Sequence, residues 1–555
     1  MSETFYRRGL SLVLITTLLA GLTALAWGLP NGNRTWAADS VAPMTPYSVA
    51  YHVFAEHGPN SGYFYFKYPV GHQLLLAAVG SPVLAWAALT GNLRSVSTDY
   101  PFGMEDPEPV LATLQIAMRL LSVLLSLGLV AAVAGTARRL ASPRAGLLAA
   151  VAVLGSYPFL FYQHTTNVEL PYLFWAFLAL YSVVRASESG ASPRWMWLFG
   201  LAAAMAVSTK EQIVGFLVLL PVALVISNYA RLRAGEPEAR LLPRGWASGI
   251  LASVGTYAAA NAAFFNPAGA INRIRYLTHT LDTATRQTYA GYEMPIDFST
   301  DWTLADELVH LSKAGSGVIA SVGWPALVTG LAGLIVLARR NPRGLLFVAA
   351  AAAGYYLVSL RLLKQVEIRY TMALSSLLAI PAGILLAELW ARRRLGRIVV
   401  AGVLGLGLIY SGETLVMLAG DTRYRAEAWM KDRLAAGKQV EVYQSWTYLP
   451  RWQMTEGVRR IDFDDIGIDG VRLRQPDLIV LSSKGMAGMT MYPNPDWRDG
   501  RGMMLVDEKN RRFVDALTSG ELGYSETAVF QNEPLIERPL ITSLNPAIHI
   551  YERNN

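Results

Sequence analysis

The 555-residue chain contains no cysteine, which excludes disulfides, thiolate metal sites and a cysteine nucleophile. Charge is scarce as well. Asp, Glu, Lys and Arg make up 16% of the residues, against roughly 25% in ordinary soluble domains. With 53% hydrophobic residues, so little polar surface cannot wrap a water-soluble core of this size. No zinc-ligand spacing, phosphate-cradling glycine loop, dinucleotide fingerprint or GxSxG elbow stands at a workable position, so no metal and no nucleotide cofactor is indicated. Internal repeats and low-complexity tracts are missing too.

What is present is a succession of long apolar runs. The formal charge of +7 sits mostly in short Lys and Arg clusters between those runs. That is the pattern of cytoplasmic loops, so nucleic acid is not the partner it implies. Arg7 and Arg8 precede an uncharged run over 9–29, long enough to cross a bilayer of about 30 Å. A cleaved signal peptide is the alternative, since Ala24-Leu25-Ala26 resembles a cleavage site. Further runs fall near 110–136, 145–162, 168–184, 195–209, 212–229, 246–265, 316–338, 344–360, 370–390 and 398–419. A run at 74–90 competes for a place, but it contains Pro82 and leads into Asp99, Glu105, Asp106 and Glu108. If 74–90 crossed, the clusters from Arg138 onward would face outward. If it lies at the interface, all the clusters fall on one side. The sequence therefore predicts about eleven spans with the N-terminus inside and the C-terminus outside.

This topology puts the polar, chemistry-bearing stretches on one membrane face. The expected architecture is a mostly α polytopic membrane domain over 1–420, with outer loops at 31–109 (bearing interfacial helices) and 266–315. A small α/β extracytoplasmic domain over 421–555 follows it. In that domain, residues 421–437 read as a helix stopped by Gly437, and 440–443, 478–481, 528–530 and 548–551 read as strands.

The first outer loop is dense in aromatic and polar residues, as suits a segment lying at a membrane surface. Asp39 stands there about ten residues past the first span, beside Trp36. A carboxylate at that depth can take a proton from a hydroxyl as a general base, or be a loop acid without chemistry. His52 and Glu56 are further candidates in the same loop. Lys67-Tyr68-Pro69-Val70-Gly71-His72 opens the interfacial run; Lys67 either neutralises a lipid phosphate or snorkels from an aromatic belt. Lys210-Glu211 interrupts two apolar runs. It is either a turn whose charges pair with each other or water, or a cation aimed at a phosphate and oriented by Glu211. Arg361, Lys364 and Arg369 lie close together on the outer side, against the positive-inside trend, and suggest an anionic ligand. Asn167-Val168-Glu169-Leu170-Pro171 opens a span, with Pro171 in its first turn and a substrate hydroxyl contact as the other reading. Arg273, Arg275, Arg286, Tyr292 and Glu293 read individually as solvated charge or as the lining of an acceptor groove.

Taken in order, these landmarks resemble a GT-C fold glycosyltransferase of the family-39 type, the group of protein O-mannosyltransferases and lipid A aminoarabinose transferases. The resemblance rests on Asp39, on Lys67-Tyr68-Pro69 followed by GHQLLLA, and on AMRLLSVLLSLG, TTNVELPYLFW, the STKEQ turn and Arg369-Tyr370. It extends to the tail segments RYRAEAWMKDRLAAGKQVEVY, YLPRW and PDLIVLSS. Ser40 stands where such proteins often carry a second acid, and the proline pair is reduced to Pro69-Val70. The resemblance implies a bacterial-type inverting transfer of a sugar from a polyprenyl-phosphate carrier, as donor substrate, to an extracytoplasmic glycan, lipid or protein hydroxyl. It implies a multi-pass protein of the cell membrane, with membrane lipid and that acceptor as its partners. Asp39 would then be the base. Lys67, Lys210 and Arg369 would hold the phosphate with Arg361 and Lys364 in reserve. Trp36, His52, Glu56, Tyr68, His72, Asn167, Glu169, Glu211 and Tyr370 would line the substrate pocket. A transporter or flippase for a lipid-linked anion is the rival reading, and it requires ionisable groups at mid-membrane.

Reversing the charge at Lys67 (Lys67→Glu) is expected to weaken binding of a polyprenyl-phosphate donor by about tenfold or more, the worth of one charge-assisted hydrogen bond. Unchanged affinity in a direct binding titration would remove Lys67 from the phosphate set.

Overall fold

A computed structural model describes residues 2–55, 69–236, 238–277, 303–363, 366–392, 394–443, 445–461, 465–483, 491–493 and 504–554. The chain divides into two units. The first is Met1–Leu25, Met44–Ala85 and Ile116–Leu415; the second is Ala26–Pro43, Trp86–Gln115 and Val416–Asn555.

The helices of the apolar part are, in chain order, α1 (Glu3–Thr23), α2 (Thr45–Phe54), α3 (Gly71–Leu89), α4 (Pro107–Leu140), α5 (Pro143–Leu154) and α6 (Tyr157–Gln163). They continue as α7 (Glu169–Ala186), α8 (Arg194–Thr209), α9 (Val214–Val218), α10 (Leu220–Arg233), α11 (Trp246–Ala260) and α12 (Pro267–Leu277). The series closes with α13 (Leu304–Arg340), α14 (Pro342–Tyr355), α15 (Met372–Ala391) and α16 (Arg394–Ala419). Their starts follow from local chemistry. Ser142 before Pro143 accepts from Ala145 N, and Asn341 before Pro342 accepts from Gly344 N. Each thus satisfies a free first-turn amide, while the proline occupies a position that needs no donor. Thr303 and Asp306 form a reciprocal capping box at α13.

Among the described residues, eight helices are long and apolar enough to cross a membrane, or nine if α5 and α6, bent by 71°, count as one broken span. This makes the chain a multi-pass membrane protein. The expected count of about eleven is not reproduced. Helices occur in all the expected apolar runs, but α8 has 16 residues and α11 has 15, short of the roughly 20 that span a bilayer. The apolar run over 246–265 outlasts its helix because the chain leaves helical geometry at Asn261 and turns left-handed at Ala262 (φ 52°). Conversely α3, read from its charge context as interfacial, meets the length and apolarity of a span.

Lipid gives helices no hydrophobic reason to associate, so close packing has to come from small residues. In the first unit α8 meets α11 at Gly200 and Gly249, and α13 meets α15 at Gly333. A Cβ on Gly200 would run into the Gly249 carbonyl, and one on Gly333 into the Pro381 carbonyl.

The second unit is built on a sheet. Asp421 caps α17 (Thr422–Ala435), and left-handed Gly437 (φ 76°) follows it, where the sequence places the stop. Then come β1 (Val440–Val442), β2 (Val458–Arg460), α18 (Ile468–Arg474), β3 (Leu478–Ser482), β4 (Met491–Pro493), β5 (Met504–Val506), α19 (Glu508–Thr518), β6 (Tyr524–Phe530) and β7 (Ile548–Arg553). The main sheet has the order β2-β1-β3-β7-β6; β1 is parallel to β2 and β3, and β7 is antiparallel to β3 and β6. Residues two apart share a face. Leu478 and Val480 therefore pack with Ala426 and Met430 of α17, and Ile479 and Leu481 with Val471 of α18 and Phe513 of α19. Covered on both faces, β3 reads as a continuous apolar run.

Gly333→Leu should overpack the α13–α15 contact and cost about 1–3 kcal/mol, seen as a lower melting temperature in detergent. Gly255, whose Cβ position meets nothing within 4 Å, takes the same change without loss. Equal melting of the two variants would refute the close contact.

Candidate functional site

In the first unit the polar turns between helices gather three sequence segments into one charged cluster. α7 opens at Glu169, a residue only 1% exposed. A carboxylate in a first helical turn sits at the positive end of the helix dipole. α8 ends at Thr209, and Lys210 takes an extended conformation (φ −156°, ψ 117°) before a 3-10 turn over Glu211–Ile213. That break sends the Lys210 ammonium back to Glu169, Nζ to Oε1 at 2.9 Å. The same ammonium stands 5.2 Å from the ring centres of Tyr172 and Tyr370. Aromatic faces at that range attract a cation.

Tyr370 links this pair to the next cation. It lies in a 3-10 turn, Ile368–Thr371, that leads into α15, and its backbone oxygen accepts from Tyr355 OH at 2.8 Å. Arg369 donates to Tyr370 OH at 3.1 Å, holds its guanidinium 5.0 Å from the same ring, and pairs with Glu367 at 2.8 Å. The structure thus brings together Glu169, Lys210, Arg369 and Tyr370, which the sequence singles out separately. The second Glu169 oxygen, Oε2, is buried without a hydrogen-bond partner among the described residues.

Other expectations land elsewhere. Glu211 does not orient Lys210; it pairs with Arg273 of α12. The two residues part because Lys210 is extended while Glu211 begins a helical turn. Arg273 itself is 4% exposed rather than solvated. Asn266 caps α12, accepting from Gly269 N at 2.8 Å, and fixes the register that turns Arg273 inward while Ile271 and Ile274 face outward. An amphipathic helix whose apolar side faces out is what a lipid boundary demands. That inverted pattern is the signal for Arg273, legible only once the lipid-facing side of α12 is known. Arg275 is exposed. His72 is buried, its Nε2 3.3 Å from Thr166 O, and Asn167 is buried in the turn before α7. His52 lies half-buried on α2. Arg361 pairs with Glu307 at 2.8 Å, and Glu307 also accepts from Tyr356 OH at 2.7 Å. Glu56, Lys67, Tyr68, Lys364, Arg286, Tyr292 and Glu293 lie outside the described residues.

The first unit also holds an apolar cavity of about 550 Å³. Its lining runs from Val70 and Phe199 past Leu217 and Val254 to Tyr257, Asn261 and Arg273. Among the described residues no group of three or more His, Asp or Glu could hold a metal ion.

Asp39 belongs to the second unit. It is exposed and left-handed (φ 56°), in a turn where Ser40 N–H donates to Ala37 O at 3.2 Å. Trp36, expected in a substrate pocket, is instead core: it is 1% exposed, with the Tyr424 ring centre at 4.7 Å and the Arg423 guanidinium at 4.2 Å.

Residues 59–247 match the family model described as dolichyl-phosphate-mannose-protein mannosyltransferase. This bears out the GT-C, family-39-like resemblance read from the sequence and supports a membrane glycosyltransferase. Comparison with curated proteins gives no match. Among solved structures, the chain is similar to ArnT from Cupriavidus metallidurans bound to undecaprenyl phosphate, with 14% identity, a TM-score of 0.47, and 89% of this chain and 96% of that one covered. It is similar to the Archaeoglobus fulgidus oligosaccharyltransferase tethered with an acceptor peptide, at 13% identity and a TM-score of 0.41, covering 100% and 89%. It is also similar to the S. cerevisiae Pmt1-Pmt2 complex bound to the sugar donor, at 16% identity and a TM-score of 0.29, covering 51% and 34%.

Lys210→Met leaves the buried Glu169 carboxylate without its cation. We expect a loss of about 3–5 kcal/mol in stability, largely recovered when Glu169→Leu is added. Thermal unfolding of the three variants checks this; a single variant as stable as the parent would show that the pair is not buried.

Proposed function

We propose that the chain is an inverting glycosyltransferase that moves a sugar from a polyprenyl-phosphate carrier to a hydroxyl of an extracytoplasmic acceptor. The observation that carries this reading is the apolar cavity of the first unit, which includes a buried arginine, Arg273, in its lining. A volume of about 550 Å³ falls within the roughly 300–1,000 Å³ of small-molecule sites. An isoprenoid segment attached to a phosphate is the ligand chemistry that suits an apolar wall with a cation in it. The family match supports the same donor class, since its description names a dolichyl-phosphate sugar.

The roles follow from what each group can do. The Asp39 carboxylate accepts the proton of the acceptor hydroxyl as the oxygen attacks the anomeric carbon. The bond from that carbon to the phosphate oxygen breaks on the opposite face, and the phosphate departs carrying the electron pair. Lys210, Arg369 and Arg273, with Lys67, Arg361 and Lys364 as further cations, offset the charge that develops on it. Each described cation of this set is already paired with a carboxylate, which holds it in place before the donor arrives. The unpartnered Oε2 of Glu169 is suited to accept a hydrogen bond from a donor sugar hydroxyl.

Purified protein assayed with defined polyprenyl-phosphate sugars tests this. Asp39→Asn should lower kcat by about 10²–10⁴ with donor KM little changed, as expected for loss of a base. Arg273→Ala should weaken donor binding by about tenfold or more. Normal turnover by folded Asp39→Asn removes the base, and unchanged donor affinity in Arg273→Ala removes the cavity from the donor site.

A further inference from the structure

Within the second unit, Ala26–Pro43 carries no helix or strand, yet it is tied down along its length. Trp27 Nε1 donates to Asp421 Oδ2 at 3.0 Å, and Gly28 N donates to Tyr424 OH at 3.0 Å. Asn31 Oδ1 accepts from Met454 N at 3.0 Å, and Gly32 N donates to Glu108 Oε1 at 2.9 Å. Trp36 is then buried against Tyr424 and Arg423. After these anchors the chain makes its turn and presents Asp39, exposed and left-handed.

The centre of this arrangement is Arg423, which is fully buried. Its Nε and Nη2 donate to both oxygens of Asp421 at 2.8 and 2.7 Å, Nη1 to Thr447 O at 2.6 Å and Nη2 to Ser543 O at 2.9 Å. A planar guanidinium with its in-plane donors so committed cannot rotate, and what remains to it is a flat cationic face. Trp36 lies 4.2 Å from the guanidinium carbon. A buried ion pair is a weak source of stability compared with apolar packing of the same volume, and its best-attested use is to fix geometry. A non-glycine residue in the left-handed region persists only where its surroundings hold it there.

We infer that Arg423, acting through Trp36, is a positioning residue for Asp39, so that the C-terminal sheet domain serves to hold the carboxylate-bearing loop. The inference rests on the reading of Asp39 as the base, but its first test does not depend on activity. Because the chain has no cysteine, Ser40→Cys supplies a single thiol for a nitroxide label beside Asp39. A separate Ala436→Cys label, on an exposed residue after α17, reports whether the sheet domain is intact. Trp36→Ala and Arg423→Lys should each sharpen the spectrum at 40 and leave that at 436 unchanged, and Trp36→Phe should restore most of the order. If Arg423→Lys does not fold, the Trp36 pair carries the test. In turnover, Trp36→Ala should lower kcat about tenfold with donor KM unchanged, and should have no further effect on the residual rate of Asp39→Asn. An unchanged spectrum at 40, or an equal loss of kcat with and without Asp39, overturns the inference. Normal turnover by Asp39→Asn overturns the base reading instead, and the spectra still decide whether the loop is held.

Discussion

A lysine ammonium placed where water is scarce has to find a counter-charge, and in the first unit Lys210 finds it in Glu169. The pairing suits both helices. Glu169 stands in the first turn of α7, where the dipole favours an anion, and Lys210 caps the last turn of α8, where it favours a cation. Much of the local architecture depends on this. The pair requires α8 to break at Lys210 in an extended conformation, which in turn releases Glu211 toward Arg273. It also sets the ammonium between the rings of Tyr172 and Tyr370, and Tyr370 carries Arg369 and Glu367 with it. One ion pair thus decides where one helix begins, where the next ends, and which turn docks before α15.

The pairing of every described cation in this cluster also bears on how an anion would be received. An unpaired lysine or arginine near lipid would lower its cost by reaching for water or by pulling the backbone out of register. Paired with Glu169, Glu367 and Glu211, the three cations are held in position in the absence of any ligand. A phosphate then needs only to share them, because a guanidinium has five donors and an ammonium three. The second unit uses the same device for a different end: Asp421 and Arg423, both fully buried, spend their polar atoms on each other and on neighbouring backbone, side-chain and indole groups. There the result is a rigid surface for an indole rather than a receptive cluster.

The elements most legible in the sequence are those set by local rules. Helices appear in the expected apolar runs, α17 is capped by Asp421 and stopped by Gly437, and four of the strands fall where short β-rich runs were read. Glu169, Lys210 and Arg369 could be picked out because charge interrupting apolar runs is conspicuous, and Tyr370 through the Arg369-Tyr370 landmark. Their partners could not. Adjacent Lys210 and Glu211 invite pairing on paper, and only the backbone conformation at residue 210 sends them apart. Arg273 looked solvated because a single sequence does not show which side of α12 faces lipid. Trp36 reads in the sequence as a substrate-pocket residue, and its burial depends on Arg423 and Tyr424, hundreds of residues away. The count of spans is not confirmed for a related reason. Hydropathy continues through residues such as Asn261 and Ala262 where the helix does not.

The rival reading as a transporter turns on where ionisable groups sit along the spans. Arg119, inside the 34-residue α4, is the residue that reading would need, since it is fully buried within a long apolar helix. Its guanidinium, however, donates to Leu25 O at 2.8 Å, a carbonyl just past the end of α1. A cation there satisfies a carbonyl of the turn that follows the helix and stands at the negative end of the helix dipole. Arg119 therefore has a structural task at the end of α1. The charges of the first unit's candidate cluster lie at helix ends: buried Glu169 at the start of α7, half-buried Lys210 at the end of α8, and half-buried Arg369 in the turn before α15. A path through the membrane needs charge at mid-span. The proposed donor, tethered in the bilayer and reacting with something dissolved outside it, needs charge where the helices stop, and Glu169, Lys210 and Arg369 stand there.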